Sequence, residues 1–79
     1  MSMEIKILGS GCKNCMALEA NAKAAVAALG LSAQVTKVTE MADIMAYGIM
    51  RTPGLVVNEQ VKVFGRVPPV DEIKTLLKG

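Results

Sequence analysis

The sequence predicts an α/β fold, a four-stranded mixed sheet flanked by helices in the order β-α-β-α-β-β-α. Three observations predict it. Two alternating apolar runs, Met3–Leu8 and Ala33–Val38, are separated by an alanine-rich stretch of helical period. A compact apolar run, Leu55-Val56-Val57, is joined to a second one, Val61–Phe64, by a link too short for anything but a hairpin. The chain then ends on an amphipathic stripe, Val70, Ile73, Leu76 and Leu77.

In the first strand, β1 (Met3–Leu8), Met3, Ile5 and Ile7 fall on one face and Glu4, Lys6 and Leu8 on the other. A loop, Gly9-Ser10-Gly11-Cys12-Lys13-Asn14-Cys15, follows and leads into the helix α1. On α1, Cys15, Leu18, Ala22, Ala25, Val26 and Leu29 recur at steps of mainly three and four residues, and Gly30 ends it. Glu19 and Lys23 stand i to i+4 in the favourable order. The second strand, β2 (Ala33–Val38), is reached through a helix long enough for a right-handed crossover, so β1 and β2 should run parallel.

Thr39 is placed to cap a short helix α2 over Glu40–Tyr47, with Met41, Ile44, Met45, Gly48 and Ile49 on its buried side. Met16, Met41, Met45 and Met50 read as core fillers in preference to soft-metal ligands, because Met adapts to irregular gaps. Arg51-Thr52-Pro53-Gly54 breaks the helix ahead of β3 (Leu55–Val57). Asn58, Glu59 and Gln60 turn the chain into β4 (Val61–Phe64), where Lys62 on an outer strand opposes edge-to-edge association. Pro68 and Pro69 open the last helix, α3, whose acids Asp71 and Glu72 come early and whose bases Lys74 and Lys78 come late, as the helix dipole favours.

Residues 1–79 make a single small domain, near the size at which one core is only just adequate. A net charge of +2, with nine basic and seven acidic residues interspersed, points to neither nucleic acid nor a membrane surface. One Tyr, one Phe and no Trp leave no stacking platform for single strands. No apolar run nears the roughly 18 residues of a membrane span, and Met1-Ser2-Met3-Glu4 has no secretory pattern, so a cytoplasmic address is expected. Histidine is absent, which removes imidazole acid-base chemistry and mixed Cys/His metal sites.

What remains is the C-x-x-C of Cys12 and Cys15 at a strand-to-helix junction. Two sulfurs in a first helical turn can close a small disulfide ring or grip one soft metal ion, and either use needs thiolates. The unpaired N–H groups of a helix N-terminus favour thiolate, and Lys13 adds a cation beside Cys12, whose pKa should be depressed. Cys12 falls at or before the first helical position, facing the loop. Cys15 begins the apolar stripe and should be the more buried of the two.

The whole chain resembles a known family at this point. Strand, Gly-Ser-Gly-Cys-Lys-Asn-Cys, helix, then Tyr47-Gly48-Ile49-Met50-Arg51-Thr52-Pro53-Gly54-Leu55-Val56-Val57-Asn58, and Gly65-Arg66-Val67-Pro68 before a last helix, is similar to the thioredoxin fold. In detail it resembles the small, glutaredoxin-sized redox-active disulfide proteins of archaea and bacteria. The resemblance implies a thiol-disulfide oxidoreductase in which Cys12 attacks a protein disulfide and Cys15 resolves the mixed disulfide. It implies that Pro53 is a cis-proline lying against the disulfide and that Thr52 offers its backbone to an extended substrate segment. Lys13 and Asn14, between the cysteines, would border that substrate. No cofactor and no metal are implied at the site. The partners implied are a protein disulfide and a thioredoxin-reductase-like or other thiol reductant, with the protein acting as a monomer.

Lys13-Asn14 is neither the Gly-Pro of ordinary thioredoxins nor the Pro-Tyr of ordinary glutaredoxins, and no Trp precedes Cys12. No counterpart of the glutaredoxin segment that holds glutathione stands near Gly65-Arg66-Val67. The alternative is a soft-metal (copper or zinc) binding or delivery module using the same C-x-x-C. Such modules run β-α-β-β-α-β and close on a strand, whereas this sequence places a helix before Thr52-Pro53 and closes on another.

Overall fold

A computed structural model describes residues 3–11 and 13–78. The elements are β1 (Met3–Leu8), α1 (Lys13–Leu29), β2 (Ala33–Val38), α2 (Met41–Ala46), β3 (Gly54–Val57), β4 (Gln60–Phe64) and α3 (Val70–Lys78). The sheet order is β2-β1-β3-β4. β1 pairs parallel with β2, in a register that sets Ile5 opposite Val35, and antiparallel with β3, which sets Ile7 opposite Leu55. The helix-mediated crossover thus gives the parallel β1–β2 pair and the short link gives the antiparallel β3–β4 hairpin, as chain geometry requires.

The alternation of β1 sorts the core into two layers. Ile5 and Ile7 pack with Leu18, Ala22 and Ala25 of α1, Leu55 and Val57 of β3, and Ile73 and Leu77 of α3. Small residues on α1 let it approach the sheet and α3 closely, and Asn21 Nδ2 donates to the Pro68 carbonyl at the entry to α3. On the opposite face Leu8 and Val56 pack with Ile44 and Ile49, with Val38, Tyr47 and Val61 at the margin. Lys6 of β1 lies on the same face as Leu8, and its ammonium donates to the Tyr47 hydroxyl at 2.9 Å and to Glu59.

α1 ends as Gly30 predicts. Gly30 has φ of 64°, and the Leu31 N–H donates back to the Val26 carbonyl at 3.2 Å, the six-to-one bond of a glycine-capped terminus. At the other end of the chain, the Ile73 N–H donates to the Pro69 carbonyl, so Pro69 immediately precedes α3 and supplies its first acceptor.

Four expectations need correcting. The N-cap of α2 is Glu40 in an extended conformation, with no side-chain capping bond, and not Thr39. The hairpin turn is Asn58-Glu59 alone, both at positive φ (50° and 69°), so Gln60 already pairs with Val57 in the sheet. Two left-handed residues match the strand twist of a tight hairpin, and the Glu59 carboxylate, held by Lys6 and Tyr47, offsets the cost of that conformation for a non-glycine residue. Met41 and Met45 lie outside the buried side of α2, being 59% and 65% exposed, because so short a helix meets the sheet through Ile44 alone. Met16 and Met50, at 61% and 94% exposed, are not core fillers either.

Candidate active site

The site is built where β1 ends and α1 begins. Parallel pairing of β1 with β2 continues one residue past the strand, the Gly9 N–H donating to the Val38 carbonyl at 2.9 Å. The chain then turns through Ser10 and Gly11, the latter at φ 88°, into the first turn of α1. A glycine is needed at Gly11, since that backbone region is strained for other residues.

Cys15 lies in this first turn and is 4% exposed, heading the stripe of Leu18, Ala22 and Ala25. Its burial follows from the helical period that points those four side chains at the sheet. Lys13 and Asn14 occupy the same turn and are exposed. Cys12 lies outside the described residues, and so do its exposure and its expected depressed pKa.

From the other side comes the segment ahead of β3. The Thr52–Pro53 peptide is cis. Pro53 is buried and its carbonyl accepts from the Gly65 N–H at 2.9 Å, while Thr52 is exposed. The structure brings this segment to the first turn of α1: the Cys15 Sγ and the Thr52 side chain both lie against Gly9. The N-terminal loop, Cys15 and the proline loop therefore converge at one end of the central strands.

Beside Thr52 opens a groove of about 330 Å³ lined by Met41, Met45 and Met50 with Ile44, Ile49 and Arg51. Sequence reasoning missed it by assigning these methionines to the core. The sequence held no signal for it, since the three- and four-residue spacing of Met41, Ile44 and Met45 reads as one buried face whatever the helix length, and α2 brings only Ile44 to the sheet. Gly9 was also passed over as a residue of the loop. A second cavity, of about 460 Å³ and lined by Lys6, Val38, Asp43, Ala46, Tyr47 and Glu59, shares none of the site's residues. Among the described residues no cluster of His, Cys, Asp or Glu could hold a metal ion, and no helix is long and apolar enough to cross a membrane.

Known proteins match this chain along nearly its whole length. A family model for the thioredoxin domain matches residues 3–78. A thioredoxin of Methanothermobacter thermautotrophicus is 45% identical over 75 residues, covering 95% of this chain and 97% of that protein. A thioredoxin of Methanocaldococcus jannaschii is 38% identical over 75 residues, covering 95% of this chain and 86% of that protein. With β1-α1-β2 carrying a cysteine-bearing first turn to a cis-proline at the head of β3, this chain belongs to the thioredoxin-domain family.

Proposed function

We propose that the protein is a thiol-disulfide oxidoreductase that reduces or exchanges protein disulfides through the dithiol of Cys12 and Cys15. One observation carries the reading: a buried Cys15 in the first turn of α1 faces the cis Thr52–Pro53 segment across Gly9. That arrangement, in a chain of this family, suits a sulfur kept from solvent until a substrate is docked.

The Cys12 thiolate attacks one sulfur of a protein disulfide, the other sulfur leaves as thiolate, and a mixed disulfide results. Cys15, deprotonated to solvent, then attacks the Cys12 sulfur and expels the substrate as a second thiolate. Two electrons pass to the substrate, and an intramolecular Cys12–Cys15 disulfide is left. A thioredoxin-reductase-like protein or another thiol reductant returns it to the dithiol, and no bound cofactor takes part. In this reading Thr52 offers its backbone to an extended substrate segment, and Lys13 and Asn14 border the approach; all three residues are exposed. The useful thiol pKa lies near ambient pH, since nucleophilicity falls along with pKa. The helix N-terminus and Lys13 set that balance.

The metal-delivery reading has less support. Its β-α-β-β-α-β frame does not match a chain that inserts α2 before β3 and closes on α3.

Single cysteine variants test the assignment. Cys12→Ser abolishes reduction of a protein disulfide, and Cys15→Ser attacks once and stalls as a mixed disulfide visible by mass spectrometry. Normal turnover by Cys15→Ser, or faster alkylation of Cys15 than of Cys12 in the reduced protein, would reverse the roles.

A further inference from the structure

The glycines of this chain serve different ends. Gly11, Gly30, Gly48 and Gly65 have positive φ, where backbone conformation alone selects glycine. Gly54 has no such φ, and a Cβ there would meet the apolar side chains of Ile49 and Leu8 at 2.9 and 3.3 Å. Gly9 also has an ordinary φ, and its N–H simply continues the β1–β2 ladder. Backbone geometry gives no reason for a glycine there.

The reason is steric, and its object is a sulfur. A Cβ at Gly9 would lie 2.2 Å from Cys15 Sγ and 3.0 Å from Cys15 Cβ, with Thr52 Cβ at 4.0 Å. Ordinary contact between such atoms is about 3.5–4.0 Å. Among the described glycines, Gly9 alone is bare where a side chain would occupy the place of a reacting atom.

We propose that Gly9 is a positioning residue for disulfide exchange: its missing side chain is the seat of the Cys15 sulfur and holds it in line to resolve the mixed disulfide. The proposal rests on Cys15 being the resolving cysteine. In that step the Cys15–Cys12 bond forms, the bond between Cys12 and the substrate sulfur breaks, and the substrate thiolate leaves with the electron pair. Resolution is sensitive to where the attacking sulfur sits, as a misplacement of about 1 Å can cost about a hundredfold in rate. A methyl group at position 9 must move the sulfur by more than that to regain normal contact. Cys12 is not the atom displaced, so its first attack should survive.

The aromatic disulfide 5,5′-dithiobis(2-nitrobenzoate) separates the two steps, because attack by Cys12 releases one thionitrobenzoate and resolution by Cys15 releases the second. With Gly9→Ala in the reduced protein, the first release should stay near the wild-type rate and the second should slow by about tenfold or more. A second release at the wild-type rate overturns the proposal. A general loss of structure would slow both releases together, and that result also counts against it. Failure of the underlying reading is seen separately, with Gly9 intact: if Cys15 made the first attack, Cys12→Ser would keep a single release at the wild-type rate and Cys15→Ser would lose it.

A stability cycle tests the seat itself. Gly9→Ala should lower Tm in the wild-type background and cost clearly less with Cys15→Ala, which removes the sulfur. If Gly9→Ala alone does not fold, folding of the double variant supports the seat. An equal cost in both backgrounds, or a double variant that also fails to fold, removes it.

Discussion

The two faces of the sheet are covered in different ways. On one, α1 and α3 press a continuous apolar layer from Ile5 to Leu77 against the strands, and among the described residues no buried side chain in it is polar or charged. On the other, the six residues of α2 supply only Ile44 to a four-residue cluster with Leu8, Ile49 and Val56, bordered on one side by the cavity over Lys6 and on the other by the methionine groove. The difference separates tasks. The thick face holds the chain together, while the thin face leaves Thr52 exposed beside the methionine groove. Cys15 belongs to the thick face by its helix and approaches Thr52 at the buried Gly9.

The largest expected effect breaks the comparison at its centre. Leu18→Ala opens a cavity between α1 and the sheet with nothing mobile to refill it, and should cost about 3–5 kcal/mol. In a domain of this size that approaches the whole stability, roughly 4–12 kcal/mol on a per-residue scale. Ile44→Ala, in a cluster already opened by the groove, can relax or admit solvent and should cost about 2 kcal/mol. Urea unfolding of the two variants measures both. Equal costs, or a larger one for Ile44→Ala, would show the two faces to be equally close-packed.

A smaller effect concerns the charged group on the thin face. The hydrogen bonds to Glu59 and Tyr47 raise Lys6 above its usual range, and Lys6, with smaller help from Glu4 and Tyr47, lowers Glu59 below the usual 4.5 of a glutamate. A carboxyl with a depressed folded-state pKa stabilises above its unfolded value and loses that contribution as pH falls through the folded one. Stability should therefore decline with acid from about pH 4.5 downward, the usual glutamate value. Glu19, lowered by Lys23, and Glu72, lowered by Arg66, act in the same sense. Glu59→Gln should make the acid limb of a Tm-against-pH curve shallower without removing it. An unchanged limb would mean that Glu59 closes the hairpin sterically and not through its charge.

How far the sequence could be read follows the same division. Strand alternation placed β1 and β2 to the residue and sorted Ile5 and Ile7 from Lys6 and Leu8, because one buried face demands it. The stripe on α1 placed Cys15 in the core, and the family resemblance, not the residues alone, placed a cis bond at Pro53. The thin face was less legible. Helical period gives the same signal for Met45 whether α2 is wide enough to cover it or not, and the width depends on a helix length that ended one residue short at each end. Glu59 does not look like a left-handed turn residue until Lys6 and Tyr47, distant in sequence, are seen to hold it. Gly9 looks like part of a flexible loop until Cys15 folds back over it.

The smallest expected effect sharpens the comparison most. Met41→Gln and Met45→Gln keep nearly the same helix propensity and side-chain length, so they report burial and little else. A methionine packed against the sheet would lose about 1–3 kcal/mol on such a change, from lost apolar burial and an amide with no partner. An exposed one should shift stability by no more than about 0.5 kcal/mol. With 59% and 65% exposure, both belong to the second case. Hydrogen peroxide offers the same test without mutation, since conversion of exposed thioethers to sulfoxides should leave Tm nearly unchanged while mass spectrometry records the added oxygens. A loss of more than 1 kcal/mol at either position, in urea unfolding, would mean that α2 closes over the groove in solution. The thin face would then be a second core, and its methionines would be fillers after all.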